Sequence, residues 1–104
     1  MTDKVYMWEI LVPTMRRLEG TPYRTRYHRV WDDKVKAITN GLTIYSPVKG
    51  VWVSASEDTY RERMIPVRIM ATEEQMVKIG EMTKIYYDQL AVLIYRVGDH
   101  CITI

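Results

Sequence analysis

The chain has no phenylalanine and only one cysteine, Cys101. A single thiol excludes an internal disulfide, so the fold must rest on packing. Histidine is nearly as scarce. His28 and His100 are the only two, and with Cys101 they show no metal-ligand spacing, so neither a metal nor another resident cofactor is expected. No apolar run approaches the ~18 residues that a membrane span needs. The opening residues lack the basic-then-apolar pattern of a secretory signal. A cytoplasmic protein without a membrane partner is therefore expected. A large excess of one charge is also missing. The net charge of +2 is too small to imply a nucleic-acid partner. Walker, dinucleotide and nucleophile-elbow motifs are absent, as are internal repeats.

What remains suffices for one packed unit. The 104 residues are enough for one domain, 1–104, around one core. The 47% hydrophobic content argues against disorder. With phenylalanine absent, the aromatic complement is eight tyrosines and three tryptophans, so nearly every ring carries a polar handle.

Val5 to Val12 alternates as a strand, with Tyr6, Trp8, Ile10 and Val12 on one face and Met7, Glu9 and Leu11 on the other. Pro13 closes it, and Thr14 to Arg26 reads as a loop. Tyr27, Trp31, Val35 and Ile38 recur at helical spacing, with Thr25 as the expected N-cap and Asn40-Gly41 as the stop. Leu42 to Tyr45 starts a strand that Ser46-Pro47 and Gly50 bend, which suits a sheet edge. Val51 to Val53, the polar turn Ser54 to Thr59 and the strand Tyr60 to Met70 make a hairpin. Thr72 and Gln75 form a capping box with two acids between them. The helix that follows is expected over Glu73–Gln89, its stripe made by Met76, Ile79, Thr83, Tyr86 and Leu90. Gly80 within it suggests a close approach to the sheet. Ala91 to Val97 reads as a strand, and Cys101 to Ile104 as a short last one.

This order predicts an α+β fold, the ferredoxin-like βαββαβ plait: an antiparallel sheet with both helices, near Tyr27–Thr39 and Glu73–Gln89, on one face. Pro66 then falls in a central strand, where a missing N–H requires a bulge; placing the hairpin at an edge is the alternative. A two-layer plait leaves one sheet face uncovered, and either face of the first strand is apolar. A homo-oligomer is therefore expected.

Three groups are candidates for chemistry. Glu62 stands between Arg61 and Arg63 and can face Trp52 or its neighbours across the hairpin; a site and a solvated hairpin end both fit. Met15 to Arg29 holds five arginines and one glutamate. Arg24, Arg26 and Arg29 are its candidates for holding a carboxylate or phosphate, against the alternative of a solvated loop. Tyr23, Tyr27 and Trp31 beside them suit either a stacked base or helix packing. Glu9, set among apolar neighbours, is expected on the open sheet face or paired to an arginine across strands. A Cys101–histidine pair is conceivable, but a small buried thiol is the commoner reading.

Several segments together resemble the S-adenosylmethionine lyases encoded by phages, long called SAM hydrolases. They are the LVPT that ends the first strand, YHRVWDDKV, Gly41-Leu42, Gly50-x-Trp52, Glu62 ahead of MIPVRIM, and YYDQLAVLIYR. The resemblance runs roughly from Val5 to Val97. A bacterial domain family shares a similar glycine, tryptophan and glutamate pattern. The resemblance implies a nitrogen-regulator-like trimer with active sites between subunits, S-adenosylmethionine as the small-molecule substrate, and methylthioadenosine and homoserine lactone as products. It implies Glu62 as the catalytic residue; Trp52, across the hairpin from it, is expected on its own chemistry to stack on the adenine or face the sulfonium. The tyrosine of that family falls near Val51 and Trp52 here, a departure that leaves Tyr45 or Tyr60 to substitute. The rival class is a non-enzymatic oligomer, counter-defensive or regulatory, that binds a nucleotide or a partner protein.

Overall fold

The computed structural model describes residues 4–104. It is an α+β plait of seven elements: β1 (Tyr6–Pro13), α1 (Thr25–Thr39), β2 (Thr43–Ile44), β3 (Val48–Val53), β4 (Thr59–Ala71), α2 (Glu73–Tyr86) and β5 (Ile94–Gly98). β1 and β4 are the central antiparallel pair, β5 flanks β1, and β2 and β3 both pair with β4 along its other edge.

The bent edge is the expected one. Ile44 faces Val67 and Val48 faces Met64, so three edge residues stand against two on β4. That extra residue is a bulge at Tyr45, Ser46 and Pro47. It also resolves the position of Pro66. The Pro66 carbonyl accepts from the Tyr45 amide at 2.9 Å, so the backbone of Pro66 faces this broken edge. Its missing N–H therefore costs no ladder bond to β1.

The core lies between the helices and one sheet face. Trp8, Ile10 and Val12 of β1 and Val67, Ile69 and Ala71 of β4 meet Trp31 and Val35 of α1 and Met76 and Ile79 of α2. The Trp31 indole donates to Thr83 Oγ1 at 2.8 Å, which fastens the two helices together. Burying each such large apolar side chain stabilises the fold by ~1.5–3 kcal/mol.

α2 starts as its sequence dictates. Thr72 Oγ1 accepts from the Gln75 amide at 3.1 Å, and Gln75 Oε1 accepts from the Thr72 amide at 2.9 Å. A Cβ on Gly80 would stand 2.7 Å from Ile94 Cδ1, so the glycine does permit close approach to β5. Asn40, at φ 69°, is the left-handed residue that ends α1.

Four boundaries and one buried ring differ from expectation. α1 begins at Thr25, and Arg24 is its N-cap without a side-chain cap bond. Thr25 is thus not the cap. The entry is held instead by Tyr23, whose ring stacks on Tyr27 at 4.9 Å. α2 ends at Tyr86 rather than Gln89, because Asp88 adopts φ 50° and turns the chain. The stripe therefore does not continue to Leu90, which is 75% exposed, and the fully buried ring is Tyr87 rather than Tyr86. β5 begins at Ile94, not Ala91; just ahead of it the Leu93 carbonyl accepts from the Leu11 amide at 3.2 Å. Cys101 to Ile104 adds no strand.

Candidate functional site

The side of the sheet away from the helices carries Met7, Glu9 and Leu11 of β1 opposite Met70, Arg68 and Pro66 of β4. Glu9 is only 8% exposed there. Its carboxylate meets Arg68 Nε at 3.1 Å and accepts from the Tyr95 hydroxyl. Both expectations for Glu9 hold: it lies on the open face and is paired across strands. Arg68 also covers the Tyr45 ring, 5.0 Å from its centroid. With both its oxygens engaged, Glu9 is a structural brace rather than a free base.

β4 outruns β1. The last β1 partner is Pro13, opposite Met64, so Thr59 to Arg63 pairs only with β3. Beside this unpaired stretch lies a hollow of about 630 Å³. One wall is the hairpin, with Trp52, Tyr60 and Glu62. The others are residues 13–17, at and just past the end of β1, and the segment 89–93 that joins α2 to β5. In the hairpin register Gly50 faces Glu62 and Trp52 faces Tyr60. The period-2 alternation puts all four on the open face. Trp52 then reaches diagonally, and its Nε1 donates to Glu62 Oε2 at 3.2 Å. Gly50 leaves room for this packing. A Cβ there would stand 2.4 Å from Met64 Cε, so a larger residue would push the end of the Met64 side chain aside.

Glu62 is exposed and, among the described residues, forms no ion pair with Arg61 or Arg63. Strand alternation explains this, because successive side chains point to opposite faces. A second hollow of about 660 Å³ adjoins the first through Leu11, Trp52 and Met64, and is bounded by Tyr45, Tyr95 and Glu9.

The structure therefore brings Trp52, Tyr60 and Glu62 into one groove and puts Tyr45 in the adjoining hollow. Arg24, Arg26 and Arg29 are exposed at the start of α1 and line neither. The arginines that border the groove are Arg16, Arg17, Arg61 and Arg63, the last two from the strand face opposite Glu62. The alternating Arg61-Glu62-Arg63 triplet was the available signal for two of them. Nothing in the sequence signalled the wall at 89–93, which lies where a helix and a strand were expected. Tyr23, Tyr27 and Trp31 pack within the core cluster or against it, which decides for the packing alternative.

No protein-family model matches the chain, and no curated protein matches it. Solved structures do. The divalent cation tolerance protein Cut A1 from Thermus thermophilus superposes with a TM-score of 0.70 at 10% identity, over 96% of this chain and 88% of that one. A phage SAM lyase in complex with S-methyl-5′-thioadenosine gives 0.62 at 15% identity, over 90% and 81%. The periplasmic divalent cation tolerance protein CutA from Archaeoglobus fulgidus gives 0.64 at 11%, over 96% and 88%. At such identities the shared property is the fold.

Proposed function

We propose that the chain binds S-adenosylmethionine in the groove beside the β3–β4 hairpin and cleaves it to methylthioadenosine and homoserine lactone. The observation that carries this reading is the Glu62 carboxylate, free of both flanking arginines and fixed by the Trp52 indole at 3.2 Å. One Glu62 oxygen accepts from the indole, which leaves the other, without a partner among the described residues, free to meet a ligand. The groove volume of about 630 Å³ is in the range of small-molecule sites. A fold neighbour that holds the thioadenosine product adds support.

The reaction asks little of the protein. The methionyl carboxylate attacks its own γ-carbon, a C–O bond forms and the C–S bond breaks. The electron pair goes to sulfur, which leaves as a neutral thioether, and no proton moves. Holding the reactive conformer supplies much of the rate when the nucleophile is intramolecular. Glu62 attracts the ammonium and sulfonium groups, an attraction that strengthens as water is excluded. The Trp52 face offers a cation–π contact worth ~0.5–2 kcal/mol. In this reading Tyr60, in the groove, or Tyr45, in the adjoining hollow, supplies by a different geometry the phenol that the Val51–Trp52 position lacks.

The working form in this proposal is a homo-oligomer, a trimer by preference, closed over the open sheet face. Met70 there is 42% exposed and Leu11 partly so, which is apolar surface that a partner copy would cover. The arginines at 24, 26 and 29 reach a groove only from a neighbouring copy, and their role falls if the chain is monomeric. Incubation with S-adenosylmethionine tests the reaction by the appearance of methylthioadenosine, and light scattering tests the assembly against the monomer mass of 12.3 kDa.

A second reading, a module that binds without cleaving, is favoured by one observation. Four arginines line the groove against one carboxylate, a balance that resists a cationic substrate. Binding without turnover would decide for it. The cation tolerance named for the CutA neighbours has less footing. Among the described residues no three His, Cys, Asp or Glu side chains gather.

A further inference from the structure

The groove has a second half that cleavage of a sulfonium does not use. Past Pro13, the free edge of β4 is bordered by loops instead of a strand. Arg61 and Arg63 stand on this edge, exposed and in no ion pair among the described residues. Arg16 and Arg17 line the same hollow. Both are held in place by contacts that leave donors over. Arg16 lies over the Tyr23 ring at 5.0 Å, with its Nε 3.6 Å from Glu19. Arg17 donates from Nε to the Asp88 carbonyl at 3.0 Å, and its Nη2 lies 3.5 Å from the Asp88 carboxylate. A guanidinium has five N–H donors, so each retains several.

The backbone adds to this. The Arg63 carbonyl faces the unpaired edge, where it accepts from Thr14 Oγ1 at 2.7 Å. That acceptor is therefore occupied. By the two-residue alternation of a ladder, the amides of Arg61 and Arg63 turn to the same edge. The edge thus presents guanidinium forks, two backbone N–H groups and the Arg61 carbonyl, with the Arg63 carbonyl capped by Thr14. Fixed guanidiniums grip phosphate oxygens in pairs, and backbone amides do the same. Trp52 and Tyr60, which line the same hollow, offer faces on which a base stacks.

We propose that the groove contains an anion subsite, formed by Arg61 and Arg63 with Arg16 and Arg17, that takes the phosphate of a nucleotide whose base lies on the Trp52 side. This rests on the reading of the groove as a ligand site, but not on cleavage. A nucleoside phosphate would then compete with S-adenosylmethionine for the same groove, held by the half of it that the sulfonium does not need.

The test compares adenosine with adenosine 5′-monophosphate by calorimetry on the full chain. The phosphate should tighten binding by about tenfold or more, the effect of one well-made charge-assisted contact. The preference should shrink as salt is raised, since the arginines are solvent-exposed. Arg61→Glu with Arg63→Glu should abolish it, whereas Arg61→Lys with Arg63→Lys, which keeps the charge, should retain part. An unchanged thermal midpoint in both variants confirms folding. Equal affinity for adenosine and its monophosphate in the wild type overturns the subsite alone. Failure of both to bind overturns the ligand groove as well. Methylthioadenosine production is read separately, so the loss of one proposal does not mask the other.

Discussion

The two aromatic regions of this molecule are built from the same residue types and could hardly be used more differently. Between α1 and the end of α2 lies a seam of Tyr23, Tyr27, His28, Trp31, Tyr86 and Tyr87. Beside the hairpin lies the groove with Trp52, Tyr60 and Glu62. In the seam every polar tip has a partner. Tyr23 donates to the Tyr87 carbonyl at 2.6 Å, Tyr86 donates to the Tyr27 carbonyl at 2.8 Å, and Tyr27 donates to the Tyr86 carbonyl. The Tyr87 hydroxyl stands 2.7 Å from His28 Nδ1. The rings stack or meet edge-on at 4.2–5.6 Å. In the groove, Trp52 and Tyr60 are 38% and 50% exposed, and the arginines beside them are unpaired or hold spare donors. A seam that satisfies itself has nothing left to offer a ligand. A groove that leaves indole, phenol, carboxylate and guanidinium open to solvent has kept its interactions for something else.

The sharpest way to test this contrast is to cut one ring from each region. Trp31→Ala removes a fully buried indole, its bond to Thr83 and the contact between the helices. A loss of about 3–5 kcal/mol in unfolding free energy is expected by chemical denaturation. Trp52→Ala removes a ring of similar size from the groove and should cost less than about 1 kcal/mol, as exposed substitutions usually do. Comparable losses would mean that the groove ring is structural too.

Next in size is the charge of Glu62. Glu62→Gln preserves shape and retains an acceptor for the Trp52 indole. It should slow methylthioadenosine formation by about 10²-fold, the usual consequence of removing one preorganised electrostatic partner. Stability and oligomer size should not move. Unaltered turnover would reduce Glu62 to a brace for Trp52, much as Glu9 is a brace for Arg68.

Much of the fold was legible because it follows from local rules. The capping box at Thr72, the stop at Asn40 and the 2- and 3.6-residue periods are written in adjacent residues, and they locate the elements to within a few positions. Pro66 looked like an obstacle only because its compensation, the bulge at Ser46-Pro47, lies on another strand. The groove was half legible. Glu62 and Trp52 could be paired from hairpin geometry. Arg16 and Arg17 come to them only because β1 stops at Pro13 while β4 continues, a difference in strand length that no local pattern encodes. The buried ring is a different case: Tyr87 lies four residues after Thr83, on the helical stripe itself, so the 3.6-residue period does encode it.

The smallest expected effect sharpens the other half of the comparison, because the seam should register pH where the groove need not. Burial lowers the pKa of His28 below its usual value of 6.5, since a desolvated imidazolium is disfavoured. The folded state therefore binds this proton more weakly than the unfolded state. His28 contributes its stability above pH 6.5, and that contribution is lost as pH falls below it. Protonation would also make both ring nitrogens donors, so that the Tyr87 hydroxyl could only accept from Nδ1. Tyr87 acts at the opposite end of the scale. Burial, aided by Asp32, raises its pKa well above the phenol range, so its contribution persists up to about pH 10, the unfolded value, and falls beyond it. Asp32 is shifted upward from 3.8, by burial and then by Asp33; it titrates in a lower window and with the opposite sign to His28. Thermal unfolding followed from pH 8 to pH 5 should therefore show a downward step beginning near 6.5. His28→Gln should flatten that step, and Glu62→Gln should leave it intact. A step that survives His28→Gln would locate the proton elsewhere, and the seam would lose its claim to be the region where a buried imidazole and a buried phenol depend on one another.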